Sequence, residues 1–250
     1  MKKRKPTPAA LAAEIRRVLK GEGSAEHAEG VQWFFKEEIK SHGWYMADLR
    51  RLAVRCRRSI CKESGMNFLV QVADQLFRGR VLEEKIFAVF LLEKSTSDLD
   101  DEHFAMFEMW LTRISSWADH DGLVHYLIAP MVAAKPARVT SVFAWAKSPD
   151  RWHRRAACVA LIQGTRQKKF LVQISRLSNL LLSDQDDMVQ KGLGWLLRET
   201  VKADPKRTVP YLMKIRDRAP RLVLRTACET LSASVRTRVL RLGGEASNLQ

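Results

Sequence analysis

The chain has 250 residues, 46% hydrophobic and 28% charged, a composition that excludes a disordered or collagenous polypeptide. Twelve glycines and eight prolines make an unusually small share of turn-formers, which argues against a many-stranded sandwich or barrel and for long helices. The net charge is +15, and the longest apolar runs, Ile86–Leu92 and Leu127–Ala134, fall far short of the ~18 residues a membrane span needs.

From the N-terminus, residues 1–7 form a basic arm that runs into a charged, Ala-rich helical stretch and not into a signal-peptide core. Apolar residues then recur at helical spacing almost throughout, as at Ile86, Val89, Phe90 and Leu92. Helix breaks fall at Gly21–Gly23, Gly43, Ser95–Leu99, Ser148–Asp150, Ser183–Asp187, Asp204–Pro205 and Ala219–Pro220. Ser183–Asp187 reads as an N-cap region, with Asp186 and Asp187 in or near a first turn, and residues 243–250 as a flexible tail.

A self-similar pattern runs through these helices: a basic residue, a small residue three positions on and usually Leu three further. It occurs at Arg50/Ala53/Cys56, Lys85/Ala88/Leu91, Arg155/Cys158/Leu161, Lys191/Gly194/Leu197 and Arg225/Cys228/Leu231. The anchors repeat at roughly 35 residues, the period of a two-helix solenoid unit. A small residue in mid-helix lets a neighbouring backbone approach, the Leu fills the layer between, and stacking completes the core. The expected fold is all-α, a right-handed HEAT/ARM-like α-solenoid of about six helix pairs in one domain over residues 1–240. One copy is disguised near position 120, where Ser116-Trp117-Ala118-Asp119-His120-Asp121-Gly122 abandons the packing consensus. Function is expected where local consistency breaks.

Charge is unevenly spread. Leu82–Asp121 holds ten acids and three bases, 147–176 eight bases and one acid, and 202–241 eleven bases and three acids. A basic second half fits a polyanion partner held by phosphate contacts; a generally basic, solubilising surface is the plainer alternative. Cys56, Cys61, Cys158 and Cys228 form no Cys-x-x-Cys pair and read as buried core thiols in a reducing compartment.

Trp117 and Asp121, four apart, project from one helix face. An indole beside a carboxylate is a poor core pair and a good receptor for a cation. Trp195 follows Gly194 two periods further on, with Arg154, Arg155, Lys191 and Arg198 as flanking cations. Each has a plainer reading, as core Trp, helix cap or solvated charge. His120 and His125 lie five apart and do not share a helix face, so a metal site is not expected. No phosphate-binding Gly-rich loop or Gly-x-Ser-x-Gly occurs.

At these residues the chain resembles the HEAT-like-repeat DNA alkylation repair proteins, the alkylpurine DNA glycosylases of the AlkD type. The resemblance rests on Phe34-Phe35-Lys36 with Gly43, Asp48-Leu49-Arg50-Arg51-Leu52-Ala53, Glu84/Ala88/Leu91, Trp117-x-x-x-Asp121, Trp152-x-Arg154-Arg155-Ala156 and Gln190-Lys191-Gly192-x-Gly194-Trp195-x-Leu197-Arg198-Glu199. It spans residues 10–235. It implies a catalytic Asp121, Trp117 and Trp195 as a lesion-side cradle, and Arg154 or Arg155 on a backbone phosphate; Lys191, Arg198 and Lys36 are expected as further DNA-binding cations. Phe34 stands where the family often has an aromatic hydroxyl. The implied activity is hydrolysis of the N-glycosidic bond of cationic N3- or N7-alkylated purines in duplex DNA, with no cofactor and no metal. No Lys is placed beside Asp121 as a Schiff-base nucleophile, so a monofunctional enzyme is expected, monomeric, away from membranes and cytoplasmic (nucleoid-associated if bacterial). The rival readings are a non-catalytic helical module binding DNA or another polyanion and, more distantly, a protein scaffold.

Overall fold

The structure, a computed structural model, describes residues 6–241. Most of the basic arm and all of the 243–250 tail lie outside them. The described chain is all-α, as the repeat pattern requires, and divides into two compact units, one ending at Leu127 and one beginning at Ile128.

The first unit contains α1 (Pro8–Gly21), α2 (Ala25–Gln32), α3 (Met46–Ser64), α4 (Met66–Phe77), α5 (Leu82–Leu92), α6 (Asp101–Leu111) and α7 (Trp117–Leu123). Thr7 caps α1 with Pro8 in the first turn, and Ser24 caps α2, each hydroxyl accepting from a backbone N–H. Gly43 turns the chain back at φ 78°, where a Cβ would lie 1.8 Å from the Ser24 carbonyl oxygen. Only glycine fits there. The apolar run places α5 at the centre, buried along its whole length, with α3, α4 and α7 packed against it. Its first-turn Glu83 is buried too. That carboxylate accepts from the Ser41 hydroxyl and from the His42 and Gly43 amides at 2.5–3.0 Å, so it pins the loop after α2. A parallel bridge between Lys40 and Val81 ties the same loop to the start of α5.

A π turn over Val124–Ile128 leads into the second unit, which contains α8 (Ala129–Ala134), α9 (Val139–Trp145), α10 (Arg151–Val159), α11 (Ile162–Thr165), α12 (Leu171–Leu181), α13 (Asp187–Ala203), α14 (Pro205–Ile215), α15 (Arg221–Ala227) and α16 (Ala233–Leu240). Asp186, within the expected cap region Ser183–Asp187, caps α13 by accepting from the Met188 and Val189 amides. The small residues of the repeat act as expected. A Cβ on Gly194 would come within 2.6 Å of Thr226 Cβ and 3.1 Å of the Val223 carbonyl oxygen, so glycine lets α15 seat against α13. Gly192 does the same for α10, where the Arg155 stem and Cys158 close on it.

Three of the basic residues of the repeat reach across to another segment. Arg50 pairs with Glu93 at 2.8 Å and Lys85 with Asp119 at 2.8 Å, while Arg155 donates to the Met188 carbonyl at 2.6 Å. The cysteines correct one expectation. Cys158 and Cys228 are buried, but Cys56 and Cys61 on α3 are only half-buried and are not core residues.

Candidate active site

The segment that departs from the repeat folds as a short, heavily anchored helix. Ser116 caps α7 and forms a reciprocal capping box with Asp119: the Ser116 amide and hydroxyl donate to Asp119 Oδ1 at 2.7 and 2.6 Å. Asp119 Oδ2 accepts from the Ser115 amide at 2.9 Å and from Lys85 Nζ at 2.8 Å. Lys85 in turn donates to the Arg113 carbonyl and the Ser115 hydroxyl. Burial alone would push the Asp119 carboxyl up; the Lys85 charge and these hydrogen bonds outweigh it and hold it below the usual carboxylate range. Asp119 is therefore the anchor of α7, completely buried and fully engaged.

Asp121 behaves differently. It lines a cleft of about 530 Å³ together with Trp117, one turn earlier on the same face, and its side chain retains 21% exposure. Its Oδ1 lies 2.7 Å from Nδ1 of His120, whose ring is wholly buried. The imidazole fixes one carboxylate oxygen and leaves the group facing the cleft. Trp117 stacks on Phe35, ring centres 5.0 Å apart and 18° from parallel, and its Nε1 donates to the Phe34 carbonyl at 3.3 Å. The indole is thus held by the loop after α2, with that aromatic pair forming one wall.

The remaining walls come from residues to which the sequence reading gives no role in a site. Tyr45, Phe90 and Tyr126 line the cleft, and the Arg50 guanidinium lies 4.1 Å from the Phe90 ring centre and 5.0 Å from that of Tyr126. Arg50 is also bound to Glu93, whose carboxyl burial pushes up despite the arginine beside it. Spacing marks none of these: Tyr126 lies five residues after Asp121, off its face of a regular α-helix, and stands in the π turn over Val124–Ile128. Phe35 stands in a quoted motif, but nothing in spacing shows that it stacks on Trp117. Phe34 is largely exposed beside it, as is the adjacent Lys36.

The other expected site residues belong to the second unit. Trp195 is half-buried on α13. Arg154 is held by Asp184 at 2.6 Å and by the Ser148 and Pro149 carbonyls. Lys191 pairs with Asp187 on its own helix at 3.3 Å, and Arg198 with Glu199 at 3.3 Å and with Glu229. Arg155 is 6% exposed and lies in the α10–α13 packing, so of the two arginines Arg154 is the one that reaches the surface. No group of three or more His, Cys, Asp or Glu among the described residues is arranged to hold a metal ion, and no described helix is long and apolar enough to cross a membrane.

An all-helical protein of packed helix pairs, with one broken repeat presenting a carboxylate to an aromatic cleft, is the class that fold and site define. The family model for DNA alkylation repair enzymes matches residues 15–231, and the chain belongs to that family. Among solved structures, it is similar to a predicted DNA alkylation repair enzyme from Enterococcus faecalis, at 18% identity over 84% of this chain and 97% of that one, with a TM-score of 0.74. It is also similar in fold to smu.31 from Streptococcus mutans, at 18% identity over 74% of this chain and all of that one, with a TM-score of 0.54. No match is found among curated proteins. Membership places the protein in the repair of alkylated DNA.

Proposed function

We propose that the protein is a monofunctional DNA glycosylase that hydrolyses the N-glycosidic bond of cationic N3- or N7-alkylated purines in duplex DNA. The observation that carries this reading is the division of labour on α7: Asp119 is buried and fully engaged, while Asp121 is steadied by a buried imidazole and left on the wall of an aromatic cleft.

The chemistry needs little else. Alkylation at N3 or N7 makes the purine cationic, so it departs as a neutral base and needs no general acid. The positive charge passes to the deoxyribose as an oxocarbenium-like transition state. A carboxylate aimed at that sugar stabilises the developing charge and orients the attacking water, as paired carboxylates do in glycoside hydrolysis. The aromatic wall of Phe35 and Trp117 favours a cationic nucleotide over a neutral one by face contacts worth about 0.5–2 kcal/mol each. The part given to Trp195 comes from the family resemblance. Lys36, Arg154, Lys191 and Arg198 are proposed backbone contacts, and Arg155 acts through the packing of α10 on α13.

The test is incubation of the native protein with a duplex carrying a single N7-methylguanine. The expected result is free 7-methylguanine, an intact strand with an abasic site, and no DNA adduct on borohydride treatment. An adduct would overturn the monofunctional assignment. No base released from this duplex or from one with N3-methyladenine, with salt-dependent DNA binding retained, would make the protein a binding module. Trp195→Ala is expected to slow release several-fold; an unchanged rate removes Trp195 from the site.

A further inference from the structure

A second cleft, of about 440 Å³, opens on the first unit and shares Leu82 with the aromatic one. Three separate segments form it, within residues 38–40, 78–85 and 112–116, and they bring Lys40, Arg78, Arg80, Lys85 and Arg113 to one place. Among the described residues, two carboxylates bind these cations, a third lines the cleft, and Glu84, paired with Arg16, stands against Gly79 between Arg78 and Arg80. Asp74 binds Arg78 Nε at 3.0 Å and Arg113 at 3.1 Å, Asp119 binds Lys85, and Glu38 lines the cleft itself. Burial alone would raise the Asp74 carboxyl, but hydrogen bonds from Trp110, Arg78 and Arg113 outweigh it and hold the group below its ordinary range. Asp74 thus stays a charged partner and fixes both arginines.

Two cations remain in excess. Lys40 and Arg80 are exposed, and among the described residues no carboxylate pairs with either. The bridge between Lys40 and Val81, with the Leu82 amide donating to the Lys40 carbonyl at 2.9 Å, holds the two backbones side by side. This positive patch lies against the most acidic stretch of the sequence, Leu82–Asp121, so the fold creates it and composition does not. At its edge Ser115 and Ser116 run directly into Trp117 and the aromatic cleft.

We propose that this cleft receives a backbone phosphodiester of the DNA strand, next to the nucleotide presented to Asp121, through Lys40 and Arg80. The choice of DNA rests on the functional reading above; the anion site rests on the charges. The two free cations stand on the rim in water and offer charge and donors along an open edge. That suits a singly charged phosphodiester in a chain better than an enclosed free phosphate.

The test is the double variant Lys40→Ala/Arg80→Ala in the full chain, binding an undamaged duplex over a series of salt concentrations. Each lost phosphate contact lowers the slope of log affinity against log salt by about one, so a fall of about two is expected, with affinity at low salt reduced roughly 10-fold or more. Arg58→Ala/Lys62→Ala, two exposed cations of α3 outside the cleft, provides the control and is expected to change the slope less. An unchanged slope in the cleft variant, or an equal fall in the control, overturns the proposal. So does inorganic phosphate that binds the native protein but not the cleft variant and, at constant ionic strength, leaves duplex affinity unchanged, which would make this a free-phosphate site. Loss of single-stranded RNA binding with duplex binding unaffected would overturn the DNA assignment. The readout needs no base release. A native protein that releases no base while the cleft variant loses slope leaves the phosphate site standing and removes the glycosylase reading alone.

Discussion

The two units use the basic residue of the repeat in different ways. In the first, Arg50 and Lys85 each close on a carboxylate from a later segment, Glu93 and Asp119. In the second, Arg155 donates to a main-chain carbonyl and Lys191 pairs within its own helix. The second unit seats α13 against its neighbours through Gly192 and Gly194, where small size is the device. The first anchors an irregular α7 with a buried charge pair, and the same helix carries the cleft carboxylate. Packing is handled by the regular copies, and the carboxylate that lines the cleft sits where a copy is broken but firmly held.

That contrast can be broken at Lys85. Lys85→Met leaves the buried Asp119 without its cation, and chemical denaturation is expected to show a loss of about 3–5 kcal/mol. Arg155→Met removes a charged donor from a carbonyl and is expected to cost less, about 1.5–3 kcal/mol. Equal losses would erase the distinction between the units. The carboxyl of Asp119 is held low when folded, so the unfolded chain takes up its proton first as pH falls. The stabilisation from this pair is full above pH ~4, the ordinary carboxylate value, and disappears as pH falls through the lower folded value. Asp119→Asn should flatten that acid limb.

A smaller effect is expected at His120, which steadies Asp121 from behind. His120→Leu removes the 2.7 Å contact and should slow base release roughly 10- to 100-fold with DNA binding retained. His120→Asn, which restores a donor near Nδ1, should recover part of the rate; equal rates in both variants would leave His120 a packing residue. The smallest effect is chemical. Burial pushes the Cys158 thiol up to about 12 despite nearby Arg155, so native protein at pH 8 should label at half-buried Cys61 well before Cys158 by mass spectrometry. Early labelling of Cys158 would mean that the α10–α13 packing is looser than its glycines imply.

Much of this architecture is written in local spacing. Breaks at Gly, Pro and Asp, caps such as Asp186, and the placing of Trp117 and Asp121 on one face follow from residues a turn or two apart. The ~35-residue repeat shows which small residues admit a neighbouring helix. What spacing cannot give is the partner across the fold. The repeat marks Lys85 as an anchor without showing that Asp119 receives it, and that contact separates the structural carboxylate from the one facing the cleft. Phe35 on Trp117 and Arg50 over Phe90 and Tyr126 are likewise tertiary events. Arg154 and Arg155 look alike in sequence, and only burial shows that one of them is internal. The exposure of Cys56 and Cys61 depends on how α3 sits against α4 and α5, which its own periodicity does not report.

The proposed division of labour gives the chemistry to Asp121 and the hold on the helix to Asp119. It is tested most directly by single-turnover release of 7-methylguanine from duplex DNA by the native protein and by Asp121→Asn, with DNA affinity measured in parallel. The expected result is a rate lower by about 10²-fold or more in the variant, at unchanged affinity. A variant that releases base at the native rate would contradict the account.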